Sequence, residues 1–205
     1  MRIVLFLLLV QLLRCSSSSP PWWSTTSLYQ VYPRSFQDSD NDGVGDLLGI
    51  ISRLDHLLLI GIDSVWLNPI FPSPMKDFGY DISNYTDIDP VFGSLRDFTR
   101  LVDEVHARGM KLLLDFVPNH SSDQHPWFSL SEDRVGPYSD YYVWRDPGGW
   151  EEGQEPLPPN NWLSKLGGSA WTWSQRRQQF YYHQYQPAQP DLNYRSVLDL
   201  IGLKD

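Results

Sequence analysis

The chain has 205 residues, of which 41% are hydrophobic, enough to build a sizeable core and to argue against wholesale disorder. Its formal net charge of −9 argues against a nucleic-acid or anionic-membrane partner, because such partners need a basic face. Nine Trp, eleven Tyr and nine Phe are compatible with stacking on sugar rings, although core packing explains most such residues.

The first segment, residues 1–19, has the pattern of a secretory signal peptide. Arg2 gives a positive start, and the apolar run Ile3–Leu13 is broken only by Gln11. Such a run is too short to span a bilayer comfortably, so a short membrane anchor is the weaker alternative. Cleavage after Cys15 would leave no cysteine for disulfide bonds or thiol catalysis. The sequence therefore predicts a secreted protein without a membrane span after cleavage.

Apolar and amphipathic runs then alternate along the chain. Leu28–Pro33 and Ile62–Leu67 are β-prone, and Met110–Val117 is a strand apolar almost throughout, as expected when both faces of a sheet are covered. Helices are predicted over Gly49–Gly61 and from Ser94 to Gly109, each ended by its glycine. The order β-α-β-α-β predicts parallel pairing, in a doubly wound sheet or the start of a (β/α)8 barrel. A Gly-rich phosphate loop does not follow the first strand, which weakens the dinucleotide-binding option.

The second predicted helix has a clear beginning and a clear apolar face. Ser94 and Asp97 are spaced as a capping box. The residues expected on its buried face are Leu95, Phe98, Leu101, Val102 and Val105.

The loop after the first strand is strongly acidic. Its run Asp38–Asp46 places four carboxylates within nine residues, and its glycines allow a tight turn. Hard cations such as Ca²⁺ prefer several oxygen ligands, which this spacing brings around one point. The match to an EF-hand loop is partial, because Gly49 stands where a bidentate Glu is needed. The loop therefore predicts a cation site, with a solvated acidic turn as the alternative.

Polar side chains also follow the second and third strands. Asp77–Asp81 offers acceptors for sugar hydroxyls beside an aromatic ring, and Asp115–His120 places a carboxylate, an amide and an imidazole at one strand end. In barrels the carboxyl rim of the strands is where function lies, which makes this edge the candidate site. A metal cluster of His120, His125 and Asp123 is a weaker interpretation, because an irregular loop lacks the helical spacing of such ligands.

The composition and periodicity of the sequence change after about Ser121. The segment to about Gln189 is rich in Pro, Gly, Trp and Tyr, and Asp146–Asn161 shows little periodicity. It is too long for a plain loop in a compact domain, so a loop-rich inserted subdomain is the better interpretation.

Taken in order, these segments resemble the α-amylase superfamily of glycoside hydrolases, in its α-glucosidase and oligo-1,6-glucosidase branch, and most closely the secreted insect-type maltases. The resemblance covers about residues 22–195. The runs that carry it are Trp22-Trp23, Tyr29–Phe36, the acidic loop, Gly79–Ile82, Asp115–His120, Pro158–Trp162, Gly167–Trp171 and Gln189–Asn193. The last of them, Gln-Pro-Asp-Leu-Asn, is a marker of this branch.

The resemblance implies an α/β fold: the first three β/α units of a TIM (β/α)8 barrel over residues 22–120, followed by an inserted domain B over 121–195 and a divergent tail over 196–205. It also implies roles for individual residues. Asp77 resembles the carboxylate that holds the non-reducing glucose, Tyr80 the ring stacked under that glucose, and His120 the imidazole near the cleavage point. Asp115 resembles the residue that orients an arginine of the site. The Ca²⁺ ligands implied are Asp38, Asp40, Asp42, the Val44 carbonyl and Asp46.

The family's reaction is a retaining hydrolysis of terminal α-1,4-linked glucose, in which one carboxylate attacks the anomeric carbon and a second carboxyl group protonates the leaving oxygen. Counterparts of these two groups, expected after later barrel strands, do not occur among the 205 residues. The expectation is a truncated α-glucosidase. By itself this chain should neither hydrolyse an α-glucoside disaccharide or oligosaccharide nor fold stably, because three strands leave apolar edges open.

Two non-enzymatic alternatives stand beside this interpretation. One is an ectodomain like the heavy subunits of amino-acid transporters, which tend to lose the Gly-Tyr-Asp motif that is intact here as Gly79-Tyr80-Asp81. The other is a sugar-binding fragment, for which half a pocket would give weak affinity. The sequon at Asn84 is a candidate glycosylation site and agrees with export.

Overall fold

The computed structural model describes residues 20–151 and 155–195. The predicted signal peptide and the predicted divergent tail lie outside these residues. Within the described ranges, helices are all too short or too polar to cross a membrane.

Three parallel strands form the sheet at the centre of the fold. They are β1 (Leu28–Val31), β2 (Ser64–Leu67) and β3 (Lys111–Leu114), in the order β1-β2-β3. The strands pair without stagger, so that Val31, Leu67 and Leu114 lie side by side at their carboxyl ends. The predicted parallel β-α-β-α-β unit is confirmed, and its three following loops emerge at one edge.

The two longer helices that connect these strands begin at residues whose side chains cap a helix N-terminus. Helix α1 is a single turn over Pro33–Phe36, α2 spans Leu47–Leu59 and α3 spans Leu95–Ala107. The Asp46 side chain caps α2 by accepting from the Gly49 N–H at 2.7 Å. Ser94 and Asp97 form the predicted capping box of α3, which confirms that prediction.

Both longer helices stop where the sequence indicated. The glycines that follow them, Gly61 and Gly109, have φ values of +86° and +71°. These values lie in the left-handed region, which favours glycine over residues with a Cβ.

The core lies between the sheet and helices α2 and α3. Val65 and Leu67 are fully buried in it, whereas Trp66 between them is half-buried and lies on the opposite face, as the two-residue period of a strand requires. The buried apolar residues contributed by the helices include Leu47, Ile50, Leu54, Leu57, Leu101 and Val105.

Two expectations about this core were wrong. Leu95, placed on the buried face of α3, is 51% exposed because it occupies the first residue of the helix, beyond the sheet. Strand β3 is not covered on both faces among the described residues: Leu112 and Leu113 are half-buried and Leu114 is 39% exposed. Its continuous apolar run therefore predicts more cover than helices α2 and α3 provide.

The segment after Ser121 contains small antiparallel sheets rather than plain loop. It begins with helix α4 (Pro126–Glu132). A three-stranded sheet then has the order β4-β8-β7, built from β4 (Trp144–Arg145), β7 (Trp171–Ser174) and β8 (Gln179–Tyr182). A two-stranded ribbon joins β5 (Gly149–Trp150) to β6 (Pro156–Leu157).

Many of the aromatic residues in this segment pack against one another. One apolar cluster contains Phe128, Tyr142, Trp144 and Tyr181, and a second contains Ala170, Trp171 and Phe180. The Arg177 guanidinium lies 4.5 Å from the centre of a Trp144 ring. Core packing thus explains these rings, as composition suggested.

The end of the described chain returns to the edge of the parallel sheet. His120 forms an antiparallel bridge with Asp191, and the Leu192 N–H donates to the Asn119 carbonyl at 3.0 Å. This contact brings the run Gln189–Asn193 beside the residues that follow β3.

Candidate functional site

Main-chain hydrogen bonds extend the parallel ladder just past the strands and so place polar side chains at the rim. The Asn68 N–H donates to the Val31 carbonyl at 3.0 Å, and the Asp115 N–H donates to the Leu67 carbonyl at 3.0 Å. The residues that follow neighbouring strands are therefore held side by side, as expected at the carboxyl edge of a parallel sheet.

Asp115 and Tyr80 are directly bonded at this rim. The Tyr80 hydroxyl donates to Asp115 Oδ2 at 2.7 Å, and the Trp66 indole N–H donates to Asp115 Oδ1 at 2.7 Å. Asn68 Nδ2 donates to the Tyr80 hydroxyl oxygen at 2.7 Å, and Asn68 Oδ1 accepts from Gln30 Nε2 at 3.1 Å. One chain of hydrogen bonds thus joins all three strands and fixes the Tyr80 ring.

Asp81 lies in the interior, not at the surface where a ligand could reach it. It was counted among acceptors for sugar hydroxyls, but it is completely buried. Its carboxylate accepts from the Ser73 hydroxyl, the Lys76 N–H and the Asp77 N–H, each at 2.9 Å. Asp81 therefore holds the loop that carries Asp77 and does not face a ligand.

The same loop contains two residues with left-handed backbone conformations. Phe78 has a φ of +51° and Gly79 has a φ of +104°, and the Phe78 side chain is 68% exposed. A residue with a Cβ at position 79 would be strained, which gives a physical reason for glycine between Phe78 and Tyr80.

His120 meets Asp77 through a residue that the sequence did not single out for a role. Gln189 Nε2 lies 2.9 Å from Asp77 Oδ2 and 3.0 Å from His120 Nε2. His120 Nε2 is also 3.1 Å from the Tyr80 carbonyl oxygen, and the imidazole meets the Tyr185 ring edge-on at 5.4 Å. The structure thus brings Asp77, Tyr80 and His120 together.

Burial sets the protonation of this cluster. It lowers the pKa of His120, so the imidazole is neutral at physiological pH. Burial and then the bond to Asp115 raise the pKa of Tyr80 to about 12, which keeps its hydroxyl protonated. Burial raises the pKa of Asp191 to about 6, although hydrogen bonds from the Gln184 N–H and Asn119 oppose this shift.

The acidic loop folds around its own first carboxylate. Asp38 accepts from the N–H groups of Asp40, Asn41 and Gly43 at 3.0, 2.7 and 2.9 Å, and these bonds, that from Gly43 foremost, lower the pKa of Asp38. The carboxylates of Asp38, Asp40 and Asp42 each bring one oxygen within 4.8 Å of the others. Such a group of three carboxylates, two of them exposed and Asp38 half-buried, fits a hard cation such as Ca²⁺.

The group found among the described residues does not include the fourth carboxylate, that of Asp46. Asp46 uses Oδ1 to cap α2, and Oδ2 accepts from the Ser39 N–H at 2.7 Å. The Val44 N–H donates to Asp42 Oδ1 at 2.7 Å.

His125 has a structural role in the described part of the chain. Its Nδ1 accepts from the Trp127 N–H at 3.1 Å and so caps α4. It does not join His120 and Asp123 in a group that could hold a metal, because the described residues form such a group only at Asp38, Asp40 and Asp42.

A cleft of about 710 Å³ is lined by residues of the antiparallel sheet and by residues 192–195. Its walls include Asn160, Trp162, Trp171, Arg177 and Tyr182, and do not include Asp77, Tyr80, Asp115 or His120. At the rim itself Phe78 and Phe116 are 68% and 86% exposed, so the candidate site is an open surface in the described residues.

Four residues of this cluster are not predicted from the sequence: Trp66, Asn68, Tyr185 and Gln189. Asn68 directly follows a predicted strand, which is a signal that could have found it. Gln189 belongs to the run Gln189–Asn193, which was used only as a marker of the family.

Comparison with known proteins agrees with this geometry. Residues 30–197 match the family model described as alpha amylase, catalytic domain. The chain is 57% identical over 174 residues to an alpha-glucosidase of Apis mellifera, and 57% identical over 172 residues to Maltase A2 of Drosophila melanogaster. Each match covers 84% of this chain and 30% of the relative, so the chain spans less than a third of these relatives.

Two further proteins are similar to this chain: a relative with a different described role, and a protein whose structure has been solved. The amino acid transporter heavy chain SLC3A1 of Rattus norvegicus is 48% identical over 169 residues, which is 82% of this chain and 24% of that protein. A crystal structure of a MutB variant in complex with the substrate sucrose is 47% identical, with a TM-score of 0.80 over 86% of this chain and 31% of that one.

The three parallel strands followed by helices are therefore part of a TIM (β/α)8 barrel, and the described residues do not close it. The matched insect relatives, an alpha-glucosidase and a maltase, support a part for this chain in carbohydrate metabolism. This chain belongs to the α-amylase family of glycoside hydrolases.

Proposed function

We propose that the gene product carrying this chain is a secreted α-glucosidase that removes terminal α-1,4-linked glucose with retention of configuration. Within it, this chain supplies the face that holds the non-reducing glucose. The observation that carries the proposal is the joining of Asp77, Tyr80, Asp115 and His120 by short hydrogen bonds at the carboxyl rim of the sheet. We assign residues 22–120 to the barrel and 121–195 to the inserted domain B.

The geometry supports a different role for each of these side chains. Asp77 is a carboxylate that can accept from sugar hydroxyls, and the Tyr80 ring is an aromatic surface that suits a sugar face. A neutral His120 can donate one hydrogen bond and accept another. Asp115 is a supporting residue, because both of its carboxylate oxygens accept from Trp66 and Tyr80.

The retaining reaction itself needs two carboxyl groups about 5–5.5 Å apart, one a nucleophile and the other an acid/base. We propose that these groups lie outside the 205 residues, on later strands of the barrel. The chain expressed by itself should therefore not hydrolyse α-glucosides.

The test is maltose hydrolysis by the gene product that carries this chain, with the 205-residue chain assayed beside it. We expect glucose release from the former, with the α-anomer appearing first by ¹H NMR, and none from the latter. A gene product that folds but hydrolyses no α-glucoside would favour the transporter-subunit alternative. That alternative is motivated by the 48% identity to the rat heavy chain.

We further propose that Asp38, Asp40 and Asp42 hold a structural Ca²⁺, with the Val44 carbonyl and Asp46 completing the site. Ca²⁺ would link the loop after β1 to the first turn of α2 and would take no part in the reaction. The close approach of three carboxylates supports this site.

Removal of Ca²⁺ should lower the thermal midpoint of the gene product by several degrees, because a ligand bound at 100 times its Kd stabilises the folded state by about 2.7 kcal/mol. Differential scanning calorimetry in Ca²⁺ and in EDTA measures the shift. Asp40→Asn should remove most of it, whereas Asp103→Asn, at an exposed carboxylate of α3, should leave it unchanged. Equal midpoints with and without Ca²⁺ would contradict the proposed site.

Export is proposed from residues 1–19, and the sequon at Asn84 is proposed as a glycosylation site. The Asn84 side-chain oxygen accepts from the Thr86 N–H and hydroxyl at 2.9 and 2.8 Å, and the residue is half-buried.

A further inference from the structure

The cleft lined by the antiparallel sheet has a wall of aromatic rings. Trp162 stacks against Trp171 with ring centres 6.1 Å apart, and Tyr182 meets Trp162 edge-on at 5.7 Å. All three rings line the cleft, and Trp162 is 58% exposed whereas Trp171 is buried. An exposed indole that is held in place by a buried one offers a flat apolar surface of the kind that suits one face of a sugar ring.

A buried guanidinium lines the same cleft without a bound carboxylate. Arg177 is 5% exposed, and its hydrogen bonds go to neutral oxygens: Nη1 donates to the carbonyls of Ser131 and Ser139, and Nε donates to Gln179 Oε1 at 2.7 Å. Its Nη2 has no acceptor among the residues that the structure describes. Buried charges in proteins are normally paired, so this arginine indicates that an anion completes the site.

The cleft carries positive charge although the whole chain is acidic. Three arginines line it, Arg145, Arg177 and Arg195, against the single carboxylate of Asp140. Burial is the main cause that lowers the pKa of Arg177, and the charge of Asp140 opposes this shift without an ion pair between the two in the described part of the chain. Arg145 uses Nη1 to donate to the Trp144 carbonyl at 3.0 Å. A cleft lined mainly by one sign of charge concentrates ligands of the opposite sign.

Amide groups of fixed orientation stand beside the rings. Asn160 Oδ1 accepts from the Trp171 indole N–H at 2.8 Å and from the Trp162 N–H at 3.0 Å, which leaves the Asn160 NH₂ for a ligand. Asn193 is oriented the other way, because its Nδ2 donates to the Asp140 carbonyl at 3.0 Å and its Oδ1 is left to accept. Donors and acceptors around an aromatic wall match a ligand with hydroxyl groups better than a flat aromatic acid.

We propose that this cleft is a second binding site that takes an acidic sugar, whose ring stacks on Trp162 and whose carboxylate meets the guanidinium groups of Arg177 and Arg145. Its volume of about 710 Å³ falls within the range of about 300–1,000 Å³ of small-molecule sites, which is room for a monosaccharide or a disaccharide. The cleft shares no lining residue with the four that define the proposed sugar site. This inference goes beyond the proposed function and does not depend on hydrolysis.

The test is a ligand-observed NMR titration of the gene product that carries this chain, in its Asp77→Ala variant, so that the proposed sugar site is disabled. Sodium glucuronate should bind at least tenfold more tightly than glucose, because only glucuronate carries the carboxylate. Raising NaCl from about 50 mM to about 500 mM should weaken this binding, since salt screens the attraction. A disaccharide that ends in glucuronate is titrated beside the free acid. Tighter binding of the disaccharide assigns the site to glycan ends, and equal binding assigns it to the free acid.

Substitutions at exposed residues of the cleft test its two halves without disturbing the core. Trp162→Ala and Arg145→Gln should each raise the Kd for glucuronate about tenfold. The matched controls lie outside the cleft: Trp150→Ala, at a tryptophan that is 57% exposed, and Arg176→Gln, at the exposed arginine that precedes Arg177. Both controls should leave the Kd unchanged.

The outcomes separate the second site from the proposed function. Equal affinity for glucose and glucuronate overturns the acidic-sugar assignment. A folded protein without saturable glucuronate binding, or one in which Trp162→Ala and Arg145→Gln bind it as tightly as the controls do, overturns the site itself. A wild-type protein that hydrolyses no maltose overturns the proposed function and leaves the binding result intact.

Discussion

Replacing Asp77 with alanine should lower kcat/KM for maltose about a thousandfold in the gene product that carries this chain. A hydrogen bond to a charged group contributes about 1.5–3 kcal/mol, and we expect Asp77 to make two of them to the terminal glucose. Losing about 4 kcal/mol corresponds to about three powers of ten in rate. Steady-state kinetics with maltose measures the effect.

The fold should survive this substitution. The Asp77 N–H donates to Asp81, and that bond does not depend on the Asp77 side chain. Circular dichroism should therefore match that of the wild type, whereas the thermal midpoint should fall slightly because the buried Gln189 amide loses its Asp77 acceptor. Asp103→Ala, at an exposed carboxylate of α3, serves as the control and should keep full activity. An Asp77→Ala protein within tenfold of the wild-type kcat/KM would show that this carboxylate does not hold the substrate.

Replacing Asp81 with alanine should have the largest effect on stability, with a loss of about 3 kcal/mol in the free energy of unfolding. Three donors, the Ser73 hydroxyl and the N–H groups of Lys76 and Asp77, would lose a completely buried acceptor. A buried donor without a partner has also lost its contact with water. Its cost in folding free energy is therefore larger than the net stabilisation that a typical hydrogen bond provides. Urea denaturation gives the free energy, and amide hydrogen exchange at Lys76 and Asp77 localises the loss.

Asp87→Ala provides a comparison within the same connection, because Asp87 is exposed. We expect it to change the free energy of unfolding by less than about 1 kcal/mol. If Asp81→Ala leaves the exchange rates of Lys76 and Asp77 at wild-type values, the loop is held by something other than this carboxylate.

Periodicity predicted the parallel sheet and its helices because both depend on short-range chemistry. The capping box at Ser94 and the glycine stops at Gly61 and Gly109 act within a few residues, so the sequence displays them directly. Helix α1 was missed for a similar local reason. Pro33 was interpreted as the end of a strand, yet proline is equally suited to the first turn of a helix, where α1 begins.

The site was harder to predict because identical residue types have different surroundings. Asp77 and Asp81 are four positions apart, but only Asp81 is buried with three donors, and burial depends on tertiary structure. Asp46 was grouped with the cation ligands, and the same carboxylate caps α2. Sequence spacing alone does not separate those roles.

Gln189 is a harder case still, since its partners lie far away in the chain. Its family motif marks it, but nothing local indicates that its amide meets Asp77 and His120.

The same separation has a consequence for the order of folding. The strands β1, β2 and β3 and the helices between them form contacts of moderate sequence range, whereas the amide of Gln189 closes a loop of 112 residues onto Asp77. Closing longer loops costs more entropy and slows the formation of the contact. During synthesis, contacts within the sheet can therefore form before the proposed sugar-binding surface. A nascent chain from which Gln189 has not yet emerged lacks the amide that links Asp77 to His120.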